Sequence, residues 1–259
     1  MRKSAKWVFL AAGLVYAFLY LPLIIVVAYS FNNSRLNAEW VGFTLHWYKV
    51  LAADSAMLAA AGNSLLIAFT SSLSATVLGT LAGLAMHRYR PKLLPFLVIT
   101  PVAMPEILLG VSLLVFFIQV LHLPLGMLSV ILAHITFSIG FVAIVVRVRL
   151  AGMDESIFEA ARDLGATPWQ TFRWVTFPLI LPGVAAGALM AFALSLDDFV
   201  ITFFTVGVGV STLPLQIYSM IKIAVTPEVN AVSTLLMGLT LALTVIASRL
   251  DKNLIRGSS

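Results

Sequence analysis

The sequence contains no cysteine and very few charged residues. Without cysteine, the chain can form no disulfide, no thiolate metal site and no cysteine nucleophile. Charged residues make up 10% of the 259 positions, whereas soluble domains have about 25%. Apolar residues make up 61%, whereas soluble domains have about 45–50%. So few charges cannot solvate a surface of this size, so part of it must face lipid. The histidines show no paired-ligand spacing, which argues against a protein-built metal site; they are His46, His87, His122 and His134.

A glycine-rich phosphate loop is also absent. The segment nearest to one, Gly207 to Gly209, lacks the lysine and the Ser/Thr of a nucleotide-binding loop. The chain is therefore not expected to hydrolyse a nucleotide itself. No Ser/His/Asp set converges within the apolar stretches, which disfavours an enzyme. The net charge of +5 does not indicate nucleic acid, because basic residues in membrane proteins report topology.

Six stretches are long and apolar enough to cross a bilayer, which requires about 20 residues. They are residues 7–31, 59–86, 93–121, 127–146, 178–206 and 230–248. The first is too long for the apolar part of a signal peptide and is expected to be retained. All but three of the 16 basic residues flank these stretches on one side, and the exceptions are Arg35, Lys49 and Lys222. Because the basic side is cytoplasmic, we predict an all-α protein with six transmembrane helices and both termini inside.

The longest internal loop, residues 147–177, carries helix signals of its own. Ser156 and Glu159 have the spacing of a capping box at the start of a helix. Apolar residues then recur on one helical face; they are Ile157, Ala160, Ala161 and Leu164. This pattern predicts a short helix on the cytoplasmic side.

A second short helix is predicted immediately after the first. Gly165 stands where the end of a helix favours the left-handed conformation. Thr167 is a candidate cap for the next helix, with Pro168 at its first position and Gln170 completing a second capping box. We therefore expect two helices that meet at a glycine corner. Either the loop packs on its own membrane domain or it contacts another protein.

The segment Glu159-Ala-Ala-Arg-Asp-Leu-Gly165, followed by Val175-Thr-Phe-Pro178, resembles the EAA signature of ABC-importer permeases, E-A-A-x3-G-x9-I-x-L-P. Valine and phenylalanine replace the isoleucine and leucine of that signature. The resemblance implies the MetI-like permease fold over residues 60–248, in the bacterial inner membrane. An N-terminal transmembrane helix with an external loop would precede it (1–59), and a cytoplasmic tail would follow (249–259).

In that family the cytoplasmic loop forms coupling helices that insert into an ATPase. The resemblance implies this role for residues 152–177, and the coupling residues it identifies are Glu159, Ala160, Ala161, Gly165 and Pro178. The alternative for Glu159 is a helix cap with no other role. The implied partners are a homologous second permease, two copies of an ABC ATPase that binds ATP and Mg²⁺, and a periplasmic binding protein. No cofactor is expected in this chain.

Further segments are similar to one branch of the family, the second permease of spermidine/putrescine importers. They are residues 30–35, 194–199, 213–220 and 226–231. This resemblance implies that the chain carries polyamines inward and that the external receptor is a polyamine-binding protein.

Three acids, Glu106, Asp197 and Asp198, interrupt the apolar stretches. A carboxylate in hydrocarbon costs at least about 2.5–3.5 kcal/mol, so we expect these residues to line an aqueous path or the bundle interior. No lysine or arginine lies within a stretch to pair with them, so they must be protonated, paired with another subunit or available to bind a cation. Adjacent helical residues point about 100° apart, so one of the two aspartates should face the path, with a slight preference for Asp198. The alternative is that all three are polar contacts between helices.

Three prolines predict a kink or an interruption in the third stretch, just before Glu106. They are Pro95, Pro101 and Pro105. A broken helix at membrane depth is tolerated where the backbone lines a cavity, so the third stretch is also expected to line the path.

Three transport functions remain open at this point. The first is a polyamine permease of an ABC importer, and the second is such a permease for another small organic cation. The third is a self-sufficient cation/proton antiporter, which could use the same carboxylates but would not need the cytoplasmic loop.

Overall fold

The computed structural model describes residues 2–34 and 39–256, with side chains for 7–34 and 39–246. Arg35 and the basic side chains at both termini lie outside the described side chains. Over the described residues the chain is helical, apart from loops and an isolated bridge between Asn32 and Phe43. The all-α prediction is confirmed. The chain forms two compact units, Met1–Ala59 with Gln216–Leu239, and Ala60–Leu215 with Thr240–Ser259.

Five of the described helices are long and apolar enough to cross a membrane. They are α1 (Arg2–Tyr29), α3 (Ser55–Tyr89), α6 (Met127–Ala151), α9 (Phe177–Asp197) and α12 (Pro227–Arg256). Five shorter helices are α2 (His46–Ala53), α7 (Glu155–Asp163), α8 (Pro168–Thr171), α10 (Val200–Thr205) and α11 (Leu213–Ile221). Helix α12 continues through residues 249–256, which were predicted to be a tail.

The third apolar stretch forms two helices, α4 (Leu93–Ala103) and α5 (Glu106–Val115), with a π-helical turn (Phe116–Val120) after α5. The two arms are bent by 110° at the break. Met104 is extended there, as expected for a residue before proline, and Pro105 has no N–H to continue the helix. The predicted interruption just before Glu106 is confirmed.

The fifth apolar stretch was predicted to run from 178 to 206, and its extent is wrong, because the helix that is long enough to cross ends at Asp197. Helix α9 ends at Asp197, Asp198 has an extended backbone (ψ 124°), and α10 begins at Val200. No proline or glycine marks the break. The Asp198 carboxylate instead accepts hydrogen bonds from backbone N–H groups of the next turn, which replaces the helical bonds of those groups.

Helix α6 lies at the centre of the larger unit. Val142, Val146 and Leu150 form a buried cluster with residues of α9. A Cβ atom on Gly187 would lie 3.3 Å from Val142 Cγ1, and one on Gly79 would lie 2.7 Å from Val142 Cβ. Helices α3 and α9 therefore approach α6 closely at the same level, because neither carries a side chain at the contact.

In the smaller unit, Asn32 organises the segment after α1. Its side-chain amide donates to Glu39 O (2.8 Å), and its Oδ1 accepts from Val41 N (2.9 Å). Its backbone oxygen accepts a hydrogen bond from Trp47 Nε1 (2.8 Å). One buried polar residue thus holds both ends of this loop and the start of α2.

Candidate functional site

The cytoplasmic loop contains two helices, as predicted, but the first begins with a different cap. Asp154 is the N-cap of α7, and its carboxylate accepts a hydrogen bond from Ser156 N (2.9 Å). The prediction that Ser156 caps this helix is wrong. Glu159 lies in the second turn of α7, with an exposed side chain.

The hydrogen bond from the Ser156 backbone N–H holds the pKa of Asp154 below its ordinary value. A carboxyl group whose pKa falls on folding stabilises the folded state above its ordinary pKa. That contribution is lost as the pH falls through the lowered value. The cap of α7 is therefore fully formed at neutral pH.

The glycine corner between α7 and α8 is confirmed. Gly165 has φ +81°, and the helix end is closed by hydrogen bonds from Gly165 N to Arg162 O (2.9 Å) and from Ala166 N to Ala161 O (3.1 Å). This is the Schellman pattern, which requires a left-handed residue after the C-cap. Among the described residues, no atom lies within 4 Å of the position that a Gly165 Cβ would occupy.

The second capping box is also confirmed. Gln170 N donates to Thr167 Oγ1 (3.3 Å), Thr167 N donates to Gln170 Oε1 (2.8 Å), and Pro168 is at the first helical position. A π-helical turn (Phe172–Thr176) joins α8 to α9, whose first turn includes the exposed Pro178. Of the coupling-loop residues predicted from the sequence, Glu159, Ala160 and Ala161 thus lie on α7, Gly165 at the corner and Pro178 in the first turn of α9.

Large apolar side chains of the loop are uncovered in the described structure. Leu164 is 88% exposed, Trp169 67% and Trp174 71%. Ala160 is exposed and Ala161 is half-buried. Exposed bulky apolar groups of this kind are typical of a surface that contacts another protein or a membrane.

The three membrane acids lie in two different environments. The Asp198 side chain is 7% exposed and lies 3.3 Å from His134 Nε2, measured to Oδ2. Its Oδ2 also accepts hydrogen bonds from Thr202 N and Thr202 Oγ1, both at 2.8 Å. Asp198 therefore faces the core, and the geometry does not support the preference for it as the path residue.

Asp197 and Glu106 are both exposed and lie within electrostatic range of each other. Glu106 opens α5 directly after the bend, and Asp197 ends α9 directly before the break. Helix α5 packs closely on α10, because Gly110 leaves room for Phe204 and Ile201. The structure thus places two exposed acids that are far apart in sequence at helix interruptions.

Sequence reasoning missed His134, which contacts Asp198. The ring is 1% exposed, and its Nδ1 lies 2.6 Å from Ser195 Oγ and its Nε2 2.9 Å from Thr202 Oγ1. A signal was present, because an ionisable residue inside an apolar stretch needs a partner. The prediction allowed only lysine and arginine as partners of the acids. In the described residues, no group of three or more His, Asp, Glu or Cys side chains could hold a metal ion.

An exposed carboxylate at membrane depth cannot face hydrocarbon without a large cost. The face that carries Asp197 and Glu106 must therefore contact water, another subunit or a cation. Between residues 93 and 146, and between 174 and 221, the sequence has no lysine or arginine to neutralise these acids. This arrangement suits transient binding of a cation.

Known proteins are similar to this chain in both sequence and fold. The pattern of the family "Binding-protein-dependent transport system inner membrane component" matches residues 75–258. The spermidine/putrescine transport system permease protein PotC of Escherichia coli K12 is 44% identical over 239 residues, which cover 91% of this chain and 90% of PotC. The putrescine transport system permease protein PotI of the same organism is 41% identical over 243 residues, 90% of this chain and 86% of PotI.

A structure of the MetNI methionine ABC transporter in an inward-facing conformation has the same fold, with a TM-score of 0.66 and 22% identity. The match covers 78% of this chain and 99% of the transporter chain. The resemblance deduced from the EAA signature is confirmed, as is the MetI-like fold. The chain therefore belongs to the family of binding-protein-dependent transport system inner membrane components, the multi-pass permease subunits of ABC importers.

Proposed function

We propose that this chain is one of two different permease subunits of an ABC importer that moves polyamines, spermidine or putrescine or both, into the bacterial cytoplasm. The observation that carries the proposal is the pair of exposed acids, Asp197 and Glu106, beside two helix breaks in the membrane region. The names of the two relatives, each over 40% identical along most of the chain, supply the substrate class.

A polyamine is a flexible chain of ammonium groups separated by methylene groups. It requires carboxylates to replace its hydration and apolar or aromatic surface along its length. Phe199 and Phe203 follow Asp197 with ring centroids 5.6 Å apart, and Phe203 is 49% exposed. An exposed carboxylate followed along the chain by an exposed ring fits a cation with an apolar body better than a hydrated metal ion or an anion.

The proposed partners are a homologous second permease, two copies of a cytoplasmic ATPase that binds ATP and Mg²⁺, and a periplasmic polyamine-binding protein. The uncovered loop around Gly165 supports the ATPase contact, through Glu159, Ala160, Ala161 and Pro178. The exposed acids support a second permease, which would enclose the path from the other side. This chain itself would use no cofactor.

The test is uptake by the assembled importer in liposomes. The chain should be copurified from its native host with its neighbours, reconstituted with ATP inside and the binding protein outside, and supplied with labelled spermidine or putrescine. We expect ATP-dependent uptake that unlabelled polyamines inhibit and choline does not. Uptake of choline alone would indicate another organic cation, and polyamine uptake by the purified chain under a pH gradient would indicate an antiporter.

Replacing Gly165 by leucine should leave the membrane helices folded but reduce copurification of the ATPase at least tenfold. Any side chain at φ +81° costs about 1–2 kcal/mol, and within the described residues the space beside Gly165 is open. The extra loss should therefore come from the partner protein.

Gly165→Ala is the matched control, because alanine has the same backbone strain but little bulk. It should retain most of the ATPase. Equal copurification with the leucine variant and the parent protein would contradict the docking role of this corner.

A further inference from the structure

A chain of hydrogen bonds links four helices at the break between α9 and α10. Ser71 Oγ of α3 lies 3.0 Å from Ser195 Oγ of α9, which lies 2.6 Å from His134 Nδ1 of α6. His134 Nε2 lies 2.9 Å from Thr202 Oγ1 of α10, which donates to Asp198 Oδ2. All five side chains are buried or nearly so.

The direction of these hydrogen bonds follows from the chemistry of their groups. A carboxylate only accepts, so Thr202 donates its single hydroxyl hydrogen to Asp198. The Thr202 oxygen must then accept from His134, which places a hydrogen on Nε2. The other ring nitrogen, Nδ1, is hydrogen-bonded to Ser195, which is hydrogen-bonded in turn to Ser71. His134 is therefore the one member that joins the hydroxyl pair to the carboxylate.

Helix α10 depends on α6 for its position. Six residues are too few for a stable isolated helix. At its first turn the helix is held by His134 through Thr202, and at its last turn Ser129 Oγ donates to Thr205 O (2.7 Å). Both anchors are side chains of α6, so α6 fixes the point at which the chain leaves α9.

We propose that His134 is a positioning residue of the transport site, which holds the α9–α10 break and thereby keeps the Asp197 carboxylate facing the path. This inference rests on the proposed function. His134 does not touch the substrate and acts through the neighbouring backbone. Apolar packing alone would not need this histidine, since a buried histidine–carboxylate pair is seldom more stable than well-packed apolar residues.

The test compares three replacements of His134 in the reconstituted importer. Glutamine places an amide N–H near the position of Nε2, whereas asparagine reaches only as far as Nδ1, and leucine fills the space without a polar group. We expect His134→Gln to retain uptake within about threefold. His134→Asn and His134→Leu should lose at least about tenfold in maximal rate per assembled complex.

A second arm tests whether His134 acts through Asp197. In an Asp197→Asn background, His134→Leu should reduce uptake by less than about twofold, because the carboxylate that it positions is already absent. Ser138→Ala is the control within α6, since the Ser138 hydroxyl is buried and has no hydrogen-bond partner in the described residues. This control should transport like the parent.

The outcomes separate the two proposals. If Asp197→Asn alone transports normally, the proposed path residue is wrong. If Asp197→Asn is impaired but the two losses multiply, or His134→Leu transports normally, the positioning role is wrong and the proposed function stands. If His134→Leu fails to assemble, the comparison of glutamine with asparagine decides, and equal uptake by these two variants overturns the inference.

Discussion

Replacing Asp197 by asparagine should lower polyamine uptake by roughly ten- to a hundredfold, a barrier increase of about 1–3 kcal/mol, while the importer stays assembled. The amide is nearly the same size and keeps an acceptor, but it cannot offset the charge of a dehydrated ammonium group. The close pairing that is lost is worth several kcal/mol before desolvation is subtracted. The exposed position of Asp197 implies no structural penalty within the described chain.

The measurement is initial uptake per assembled complex, with basal ATPase activity recorded in parallel. Asp197→Glu is the matched control, because it keeps the charge, and it should retain more uptake than Asp197→Asn. Basal ATPase activity should be unchanged in both variants. Uptake by Asp197→Asn at the parental rate would remove the electrostatic argument for a cationic substrate and leave only the similarity to the polyamine permeases.

Replacing Asp198 by alanine should instead destabilise the fold by about 3–5 kcal/mol, because it leaves several buried hydrogen-bond donors without an acceptor, at about 1–3 kcal/mol each. The variant loses the acceptor of the Thr202 N, Thr202 Oγ1 and Ile201 N bonds and leaves His134 Nε2 without its carboxylate. We expect a lower midpoint of thermal unfolding in detergent and less assembled complex. Both are measured before transport is assayed.

Asp197→Ala is the natural comparison, since the two aspartates are adjacent and differ mainly in burial. It should leave the thermal midpoint close to that of the parent. Thr202→Val should fall between the two, because it removes hydroxyl bonds but keeps the carboxylate and the backbone donor. If Asp198→Ala had the same thermal unfolding midpoint as the parent, the break between α9 and α10 would be held by apolar packing.

The features that could be predicted from the sequence are those with local causes. Pro105 ends a helix by its own covalent geometry, and Gly165 permits a left-handed corner by lacking a Cβ atom, so both were located to the residue. The cap at Thr167 likewise depends on a residue three positions away. Such contacts form wherever those residues occur in that order.

The break after Asp197 is local only in part, through the Asp198 carboxylate that caps the next turn; the rest of its cause is distant. It depends on His134, which lies 61 residues from Ser195 and 68 from Thr202 along the chain. Hydropathy predicts a continuous apolar segment here, because the surrounding residues are apolar on both sides.

The error at Ser156 is different, since Asp154 is a competing N-cap two residues earlier. A carboxylate suits the positive end of a helix better than a hydroxyl does.

The bend in the third crossing has a consequence for the lipid around the protein. One arm comprises 11 residues and the other 10 residues with a five-residue π turn, and the chain bends by 110° between them. If both arms were tilted equally from the membrane normal, together they would rise only about 22 Å along it. The hydrocarbon core of a bilayer is about 30 Å thick. Acyl chains beside arms tilted in this way would have to compress or tilt. The thickness of the bilayer thus acts on the segment that carries Glu106, and transport by the importer depends on the lipid composition of the membrane.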